Sequence, residues 1–356
     1  RYAWFDPMTA YPVGKHLDWG PLFPMMASVL CILAGAGSQV AILSVSSWLP
    51  VLFGLLMVPV MFLLVRQIAG WKAGIIAAFF ITVVSGEYFY RTMAGVVDHH
   101  AAEIFFSTVF CLCYIYTLRR ASEKVIDFRK PVSLVPLLLP AALSGVALAA
   151  GLAVMPTVLL FAMIAGIYTL LQYTHDAFQG KRNDSLLVLN GVVAACAVAG
   201  LAIVGVQSSV YSLATYSPAL MHACILLLGG TLLLWFFSLA TRGKPWIFIG
   251  LVIGAIVAVI AASLVINTSF ISSGMNAFST FFGQSYGEFP IEELKPWSLL
   301  GMWGSFNIGI ILALIGFVVI AHRFWKKECP AHLFVLVWSM VVILATIQHS
   351  RFEYYS

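Results

Sequence analysis

The sequence predicts an all-α fold, a polytopic membrane helix bundle with about ten spanning helices. Three observations carry this reading. Apolar residues make up 62% of the 356-residue chain and charged residues 9%, against about 25% charge in an ordinary soluble domain. Apolar runs recur along the chain, each near the roughly 20 residues a helix needs to cross a bilayer. The basic residues fall mostly on one side of the alternation that those runs create.

In chain order, residues 1–20 are polar and aromatic with turn residues, including Trp4-Phe-Asp-Pro7, Tyr11-Pro12 and Asp18-Trp-Gly-Pro21. They read as an ordered external loop. Residues 22–37 are apolar but short, and read as an interfacial or re-entrant helix, so 1–47 form one external unit. From 48 to 356 the chain reads as the bundle. Its runs lie at about 48–65, 70–85, 101–118, 133–150, 153–173, 185–206, 219–240, 246–266, 298–321 and 331–348. Met155-Pro156 is expected to kink a span. A long loop at about 267–297 is aromatic and glycine-containing, which suits function better than disorder. The chain reads as an internal piece of a longer protein.

With these ten runs as spans, 14 of the 19 Lys and Arg share one side, from Arg66 and Lys72 to Arg323, Lys326 and Lys327. The positive-inside rule puts that side in the cytoplasm. Nine of the 14 acids, among them Asp98, Glu103, Glu288 and Glu293, fall on the other side. An outer excess of carboxylate suits a divalent cation there. The net charge of +5 follows from this topology and gives no reason to expect a nucleic-acid partner. Cys111-Leu-Cys113 lacks a second half, and the other cysteines are scattered, so neither a disulfide framework nor a thiolate metal site is indicated.

The chemistry concentrates in Arg91-Thr-Met-Ala-Gly-Val-Val-Asp-His-His-Ala-Ala-Glu103. Ionisable groups at membrane depth are costly and point to function. Asp98 and His100 point the same way in extended chain and could share one divalent ion; in a helix Asp98 aligns with residues three and four further on. Imidazole with carboxylate suits manganese, zinc or iron, and a mainly carboxylate site suits magnesium or manganese. The competing reading is a surface loop with ordinary caps. Two outlying sequons are Asn267-Thr-Ser269 outside and Asn183-Asp-Ser185 inside.

Gly95-Val-Val-Asp-His-His-Ala-Ala-Glu103 resembles the second acidic motif of the oligosaccharyltransferase catalytic subunit, in the Asp-His-His form of its archaeal members. Trp4-Phe-Asp, Thr9, Tyr11-Pro12, Gly14 and Gly20-Pro-Leu-Phe23 resemble that family's first external loop. Ile291-Glu-Glu-Leu-Lys-Pro296 resembles its Thr/Ser-x-x-Glu motif, and Arg351-Phe-Glu-Tyr-Tyr355 its arginine segment. The four occur in family order over essentially the whole chain.

The resemblance implies a C-type membrane glycosyltransferase architecture. The implied enzyme transfers an oligosaccharide from a polyprenyl (dolichyl) phosphate or pyrophosphate to asparagine in Asn-x-Ser/Thr, using Mn2+ or Mg2+. It implies Asp98 and His100 as metal ligands, Arg91 as support for the acidic site, Glu293 near metal and acceptor amide, and Arg351 on the lipid-linked phosphate. Its partners are lipid-linked oligosaccharide, an acceptor polypeptide and the bilayer. The site is expected on the outer face of the cell membrane, or in the endoplasmic reticulum lumen of a eukaryote. His99 and Glu103 are further candidates; Glu103 caps or orients in one reading and ligates in another. Pro290 stands where the family has Thr or Ser, and Ser285-Tyr-Gly-Glu288 fits the same pattern literally, so Glu288 competes with Glu293. The family's first metal aspartate is expected before Arg1. Its soluble C-terminal domain, with the acceptor-reading Trp-Trp-Asp-Tyr-Gly motif, is expected beyond Ser356. The alternatives are another polyprenyl-phosphate-sugar transferase and a cation- or proton-coupled transporter.

Overall fold

A computed structural model describes residues 4–355 except 10, 124–130, 206, 208–210, 242, 267–274, 277, 280, 283–295 and 327–328. A two-residue antiparallel pair, β1 (Phe5–Asp6) with β2 (Lys15–His16), opens the chain. Helices follow: α1 (Leu22–Leu33), α2 (Gln39–Ser46), α3 (Leu49–Ala69), α4 (Trp71–Val83), α5 (Glu87–Arg91), α6 (His100–Glu123), α7 (Val135–Val154) and α8 (Leu159–Phe178). Then come α9 (Asp184–Val204), α10 (Pro218–Thr241), α11 (Pro245–Ile266), α12 (Leu299–Phe306), α13 (Gly309–Trp325) and α14 (Pro330–Gln348), closed by a 3-10 helix, Ser350–Tyr355.

Among the described residues, eight helical stretches are long and apolar enough to cross a membrane, and nine if α12 and α13 count as one. The chain is an integral membrane protein. The clearest physical sign is α11, whose most apolar stretch has mean hydropathy 2.8 yet is only 6% buried by the rest of the protein. Such a surface suits contact with lipid and not with water. The stretches of α6 and α8 are 67% buried and form the bundle's centre.

The sequence-based count of about ten spans is approximate for two local reasons. The run expected at 70–85 gives α4, only 13 residues and so about 20 Å long, because Val84 turns extended. The run expected at 298–321 breaks at Asn307, where α12 and α13 meet at 91°. Asn307 has φ +50°, a conformation Asn tolerates better than the neighbouring apolar residues. The Ser85 hydroxyl donates to the Ser305 carbonyl at 2.6 Å, which ties the end of α12 to the α4–α5 connection. At Met155-Pro156, where a kink was expected, the chain divides into two helices. Met155 is extended and Pro156 opens the next turn.

Specific contacts tie the helix ends together on both sides of the bundle. At one end the Arg119 guanidinium reaches the Gln67 carbonyl, Arg182 pairs with Asp184 at 2.7 Å, and Asp184 accepts from the Trp235 indole. At the other end Gly20 donates to the Val154 carbonyl at 2.8 Å and Tyr216 to the Leu152 carbonyl at 2.8 Å. A Cβ on Gly20 would meet the Ala153 carbonyl and the Tyr216 hydroxyl, both at 2.1 Å, so the N-terminal loop seats here only as glycine.

Helices approach closely where side chains are small, as membrane helices do. A Cβ on Gly145 of α7 would stand 2.7 Å from Cys196 Cβ and 3.0 Å from Val193 Cα of α9. Around Asn190 the mid-bundle polar groups are neutral and paired. Tyr114 donates to Asn190 Oδ1 at 2.7 Å, and Asn190 Nδ2 donates to Thr169 and Thr231 at 2.7 and 2.9 Å. Four helices are thereby joined at one amide. Asn183, in the inner sequon, caps α9 by accepting from Leu186 N and donates to Asp176; Asn267, in the other sequon, lies outside the described residues.

Asn190→Leu strands the Tyr114 hydroxyl without its acceptor. Unfolding in mixed micelles is expected to show a loss of about 1–2 kcal/mol.

Candidate functional site

The stretch from Arg91 to Glu103 spans the end of α5, a turn, and the first turn of α6. Gly95 donates to the Ser47 carbonyl at 3.3 Å, which holds this turn against the α2–α3 joint. The His99 carbonyl accepts from Ala102 and Glu103 as α6 begins. Asp98 therefore lies just before the helix and folds back over its first residues. It is neither in a continuous strand with His100 nor in register on the helix.

Arg91 is buried at 8% exposure. Its Nη1 donates to Asp98 Oδ2 at 2.6 Å and its Nε to Glu87 Oε2 at 3.0 Å. Asp98 Oδ1 is 2.9 Å from His99 Nδ1, and Asp98 Oδ2 is 3.7 Å from His100 Nε2. Donor atoms of Asp98, His99 and His100 lie within 4.8 Å of one another. Glu103, at 0% exposure, stands behind them with Oε1 at 3.2 Å from His99 Nε2 and 3.3 Å from His100 Nδ1. These two approaches are short but off the hydrogen-bond axis, leaving all three atoms without a directional partner. Oε2 accepts from Tyr355 at 2.7 Å, Tyr354 at 3.3 Å and Thr157 at 3.4 Å.

The rings are held by stacking. His99 lies over Trp19 at 6.2 Å and 18°, and His100 against Tyr354 at 4.8 Å. Burial works against charge on Asp98, but hydrogen bonding from His99 and the charges of His100 and Arg91 prevail, so its pKa falls well below the ordinary carboxylate range. Burial likewise opposes charge on His99; Asp98 and Glu103 overcome it and raise its pKa to about 9 in the ion-free chain.

Arg351 sits on the terminal 3-10 helix, three residues before Tyr354. Its Nε is buried without a hydrogen-bond partner among the described residues. Burial opposes its charge, while Tyr354 and the Glu103 carboxylate raise its pKa. Glu353, next but one, accepts from the Trp297 indole at 2.9 Å and from the Glu87 backbone at 3.3 Å. It thus ties the segment entering α12 and the start of α5 to the arginine's own helix. Glu288 and Glu293 lie outside the described residues. Asp6, left out of the metal set, binds its own turn through Met8 N and the Thr9 hydroxyl.

A mostly apolar cleft of about 720 Å³ opens beside the cluster, lined by Trp19, Phe23, Cys31, Ser46, Asp98 and His99. The donor set suits a divalent metal: one carboxylate and two imidazoles converge, with a buried carboxylate facing the imidazoles from behind. Mixed nitrogen and oxygen donors favour a borderline ion such as manganese, zinc or iron over magnesium. Sequence reasoning named Arg91, Asp98, His99, His100, Glu103 and Arg351. It missed Trp19, Thr157, Glu353, Tyr354 and Tyr355. The one available signal was the Tyr-Tyr pair beside Arg351.

Arg91→Ala removes the guanidinium from a pair whose carboxylate is 26% exposed. A loss of about 2–3 kcal/mol is expected on thermal or denaturant unfolding, with partial recovery in Arg91→Lys.

Comparison with known proteins bears on this geometry. Residues 1–356 match the family described as oligosaccharyl transferase STT3, N-terminal. A curated relative, dolichyl-phosphooligosaccharide-protein glycotransferase 3 of Archaeoglobus fulgidus, is 24% identical over 99% of this chain and 42% of its own length. Among solved structures, the archaeal oligosaccharyltransferase AglB of that organism, in complex with an inhibitory peptide and a dolichol-phosphate, superposes with TM-score 0.86 at 20% identity, covering 100% of this chain and 42% of that one. The A. fulgidus oligosaccharyltransferase in complex with Zn and sulfate superposes with TM-score 0.75 at 19% identity, covering 100% and 41%. The chain thus spans about two fifths of the length of these relatives.

Proposed function

The chain belongs to the oligosaccharyl transferase STT3 family, and from that premise we propose that it forms the membrane part of a protein N-glycosylating enzyme. The enzyme transfers an oligosaccharide from a dolichyl or other polyprenyl phosphate or pyrophosphate to the asparagine of Asn-x-Ser/Thr. The observation that carries the reading is the convergence of Asp98, His99 and His100 at the same end of the bundle as Arg351, whose Nε is buried, beside an apolar cleft. Two of its relatives support the same donor and acceptor classes: one is named for dolichyl-phosphooligosaccharide, the other holds a peptide and a dolichol-phosphate.

In this reading Asp98 and His100, with His99 alongside, would hold a divalent ion, Mn2+ in preference to Mg2+ because two of the three donors are imidazoles. When bound, the ion neutralises charge growing on the departing phosphate. Arg91 fixes the Asp98 carboxylate toward the cluster. Arg351 offers the forked guanidinium that suits phosphate oxygens. Glu293, from the long loop, accepts hydrogen bonds from the acceptor amide and weakens its conjugation, since an amide nitrogen is a poor nucleophile. Glu288 is the competing candidate for that task. During transfer the sugar carbon–oxygen bond to phosphate breaks, the carbon–nitrogen bond to asparagine forms, and the amide releases a proton to a carboxylate. The site faces outward across the cell membrane, opposite the basic loops. Charge among the described residues gathers at the helix ends while the mid-bundle polar groups Tyr114, Asn190, Thr169 and Thr231 are neutral. Transport through a charged midplane gains no support from that arrangement.

The test assays the full-length gene product with a lipid-linked oligosaccharide and an Asn-x-Thr peptide. Chelation and Asp98→Ala are each expected to lower transfer at least about 100-fold, with Mn2+ restoring the chelated enzyme. Arg351→Ala is expected to raise KM for the donor more than KM for the peptide. No glycopeptide from folded protein with a verified donor would point instead to a different polyprenyl-phosphate-sugar transferase.

A further inference from the structure

The proposed function gives no role to the two tyrosines that end the described chain, yet their hydroxyls reach Glu103, a carboxylate with no solvent exposure. The Tyr355 hydroxyl donates to Glu103 Oε2 at 2.7 Å, and the Tyr354 and Thr157 hydroxyls approach the same oxygen at 3.3 and 3.4 Å. That oxygen is fully engaged. The other, Oε1, faces both imidazoles, at 3.2 Å from His99 Nε2 and 3.3 Å from His100 Nδ1.

The two nitrogens of His100 are thereby divided between two carboxylates. Nε2 lies on the Asp98 side at 3.7 Å and Nδ1 on the Glu103 side. A neutral imidazole has one donor nitrogen and one lone pair. For Nε2 to present its lone pair to an ion shared with Asp98, the proton must sit on Nδ1, where Glu103 Oε1 at 3.3 Å is the nearest carboxylate oxygen to favour it, by charge and proximity although not along a hydrogen-bond axis. A carboxylate in that place fixes the tautomer and ring orientation of a ligating histidine. It can do so only if its own orientation is fixed, and the hydroxyls on Oε2 fix it.

The geometry points to Tyr355, assisted by Tyr354 and Thr157, as a positioning residue that acts through Glu103 to orient His100 and His99 for the ion. Glu103 is then an outer carboxylate and not a ligand. Tyr354 and Arg351 are three residues apart on one 3-10 helix and so lie on the same face. The phosphate-binding arginine and the outer support of the ion site therefore ride on a single segment. This inference rests on the metal reading given under the proposed function.

The test measures Mn2+ dissociation constants of the full-length protein by electron paramagnetic resonance, with no substrate present. It compares wild type, Asp98→Ala, Glu103→Gln, Tyr355→Phe and the double variant Glu103→Gln/Tyr355→Phe. Glu103→Gln is expected to weaken Mn2+ binding about 10–100-fold. Tyr355→Phe removes one oxygen and keeps the ring. It is expected to weaken binding about 3–10-fold, a part of the loss that follows when an outer partner of a ligating histidine is removed outright. The double variant is expected to match Glu103→Gln, because a hydroxyl acting through the carboxylate has nothing left to act on. A purely structural Tyr355 would lower the unfolding temperature while leaving the dissociation constant unchanged, and that outcome overturns the assignment. Multiplicative losses in the double variant also overturn it. A loss in Glu103→Gln as complete as in Asp98→Ala makes Glu103 a ligand and overturns it in that direction. If wild type binds no Mn2+, or Asp98→Ala binds as tightly, the metal reading falls and takes this inference with it. If Asp98→Ala abolishes binding while Glu103→Gln and Tyr355→Phe stay within twofold, the metal reading stands and only the positioning role is lost. Should Tyr355→Phe fail to fold, Tyr354→Phe carries the same comparison.

Discussion

A carboxylate with no exposure to solvent, Glu103, is the constraint on which this end of the bundle depends. Burying such a group is unfavourable by several kcal/mol unless its oxygens are occupied. Its position in the first turn of α6 helps, since a helix N-terminus favours negative charge. Its other partners come from far along the chain: Thr157 from the turn between α7 and α8, and Tyr354 and Tyr355 from the helix after α14. Satisfying one carboxylate therefore fixes how three separate segments meet. Arg91 does the same for Asp98 at closer range, and its second bond to Glu87 keeps the guanidinium in place.

The rest of the bundle follows the opposite rule. Away from the ends, the described polar groups around Asn190 are neutral and mutually paired, so they join helices without burying charge. The periphery follows hydropathy instead: the most apolar stretch of α11 is only 6% buried by the rest of the described chain, a surface suited to lipid. Between a lipid-facing rim and a neutral centre, the concentration of charge at one end beside an apolar cleft is what gives the site its chemical character.

Much of this was legible in the sequence, and where it was not the reason is physical. Asp98, His99 and His100 are contiguous, so their proximity was assured whatever the fold. Arg91 was visible as a lone arginine just upstream. Thr157 and Tyr355 were not, because they lie 54 and 252 residues from the carboxylate they serve, and neither residue type is unusual in a membrane helix end. Trp19 is one aromatic in a polar, turn-rich loop, and only the folded loop sets it over His99. The break at Asn307 was hidden because one Asn in an apolar run is compatible with a continuous helix; its backbone conformation and the Ser85 contact decide otherwise.

The sequence by itself determined that this is a membrane helix bundle with Asp98, His99 and His100 contiguous between two apolar runs. Those properties depend on local hydropathy, run length and charge, which do not require knowing what touches what. Only the tertiary structure decided which nitrogen of His100 faces Asp98 and which faces Glu103, and that Glu103 lies behind the imidazoles and not beside Asp98. Those outcomes depend on directions set by contacts between distant segments, and orientation of that kind leaves no pattern in a linear sequence.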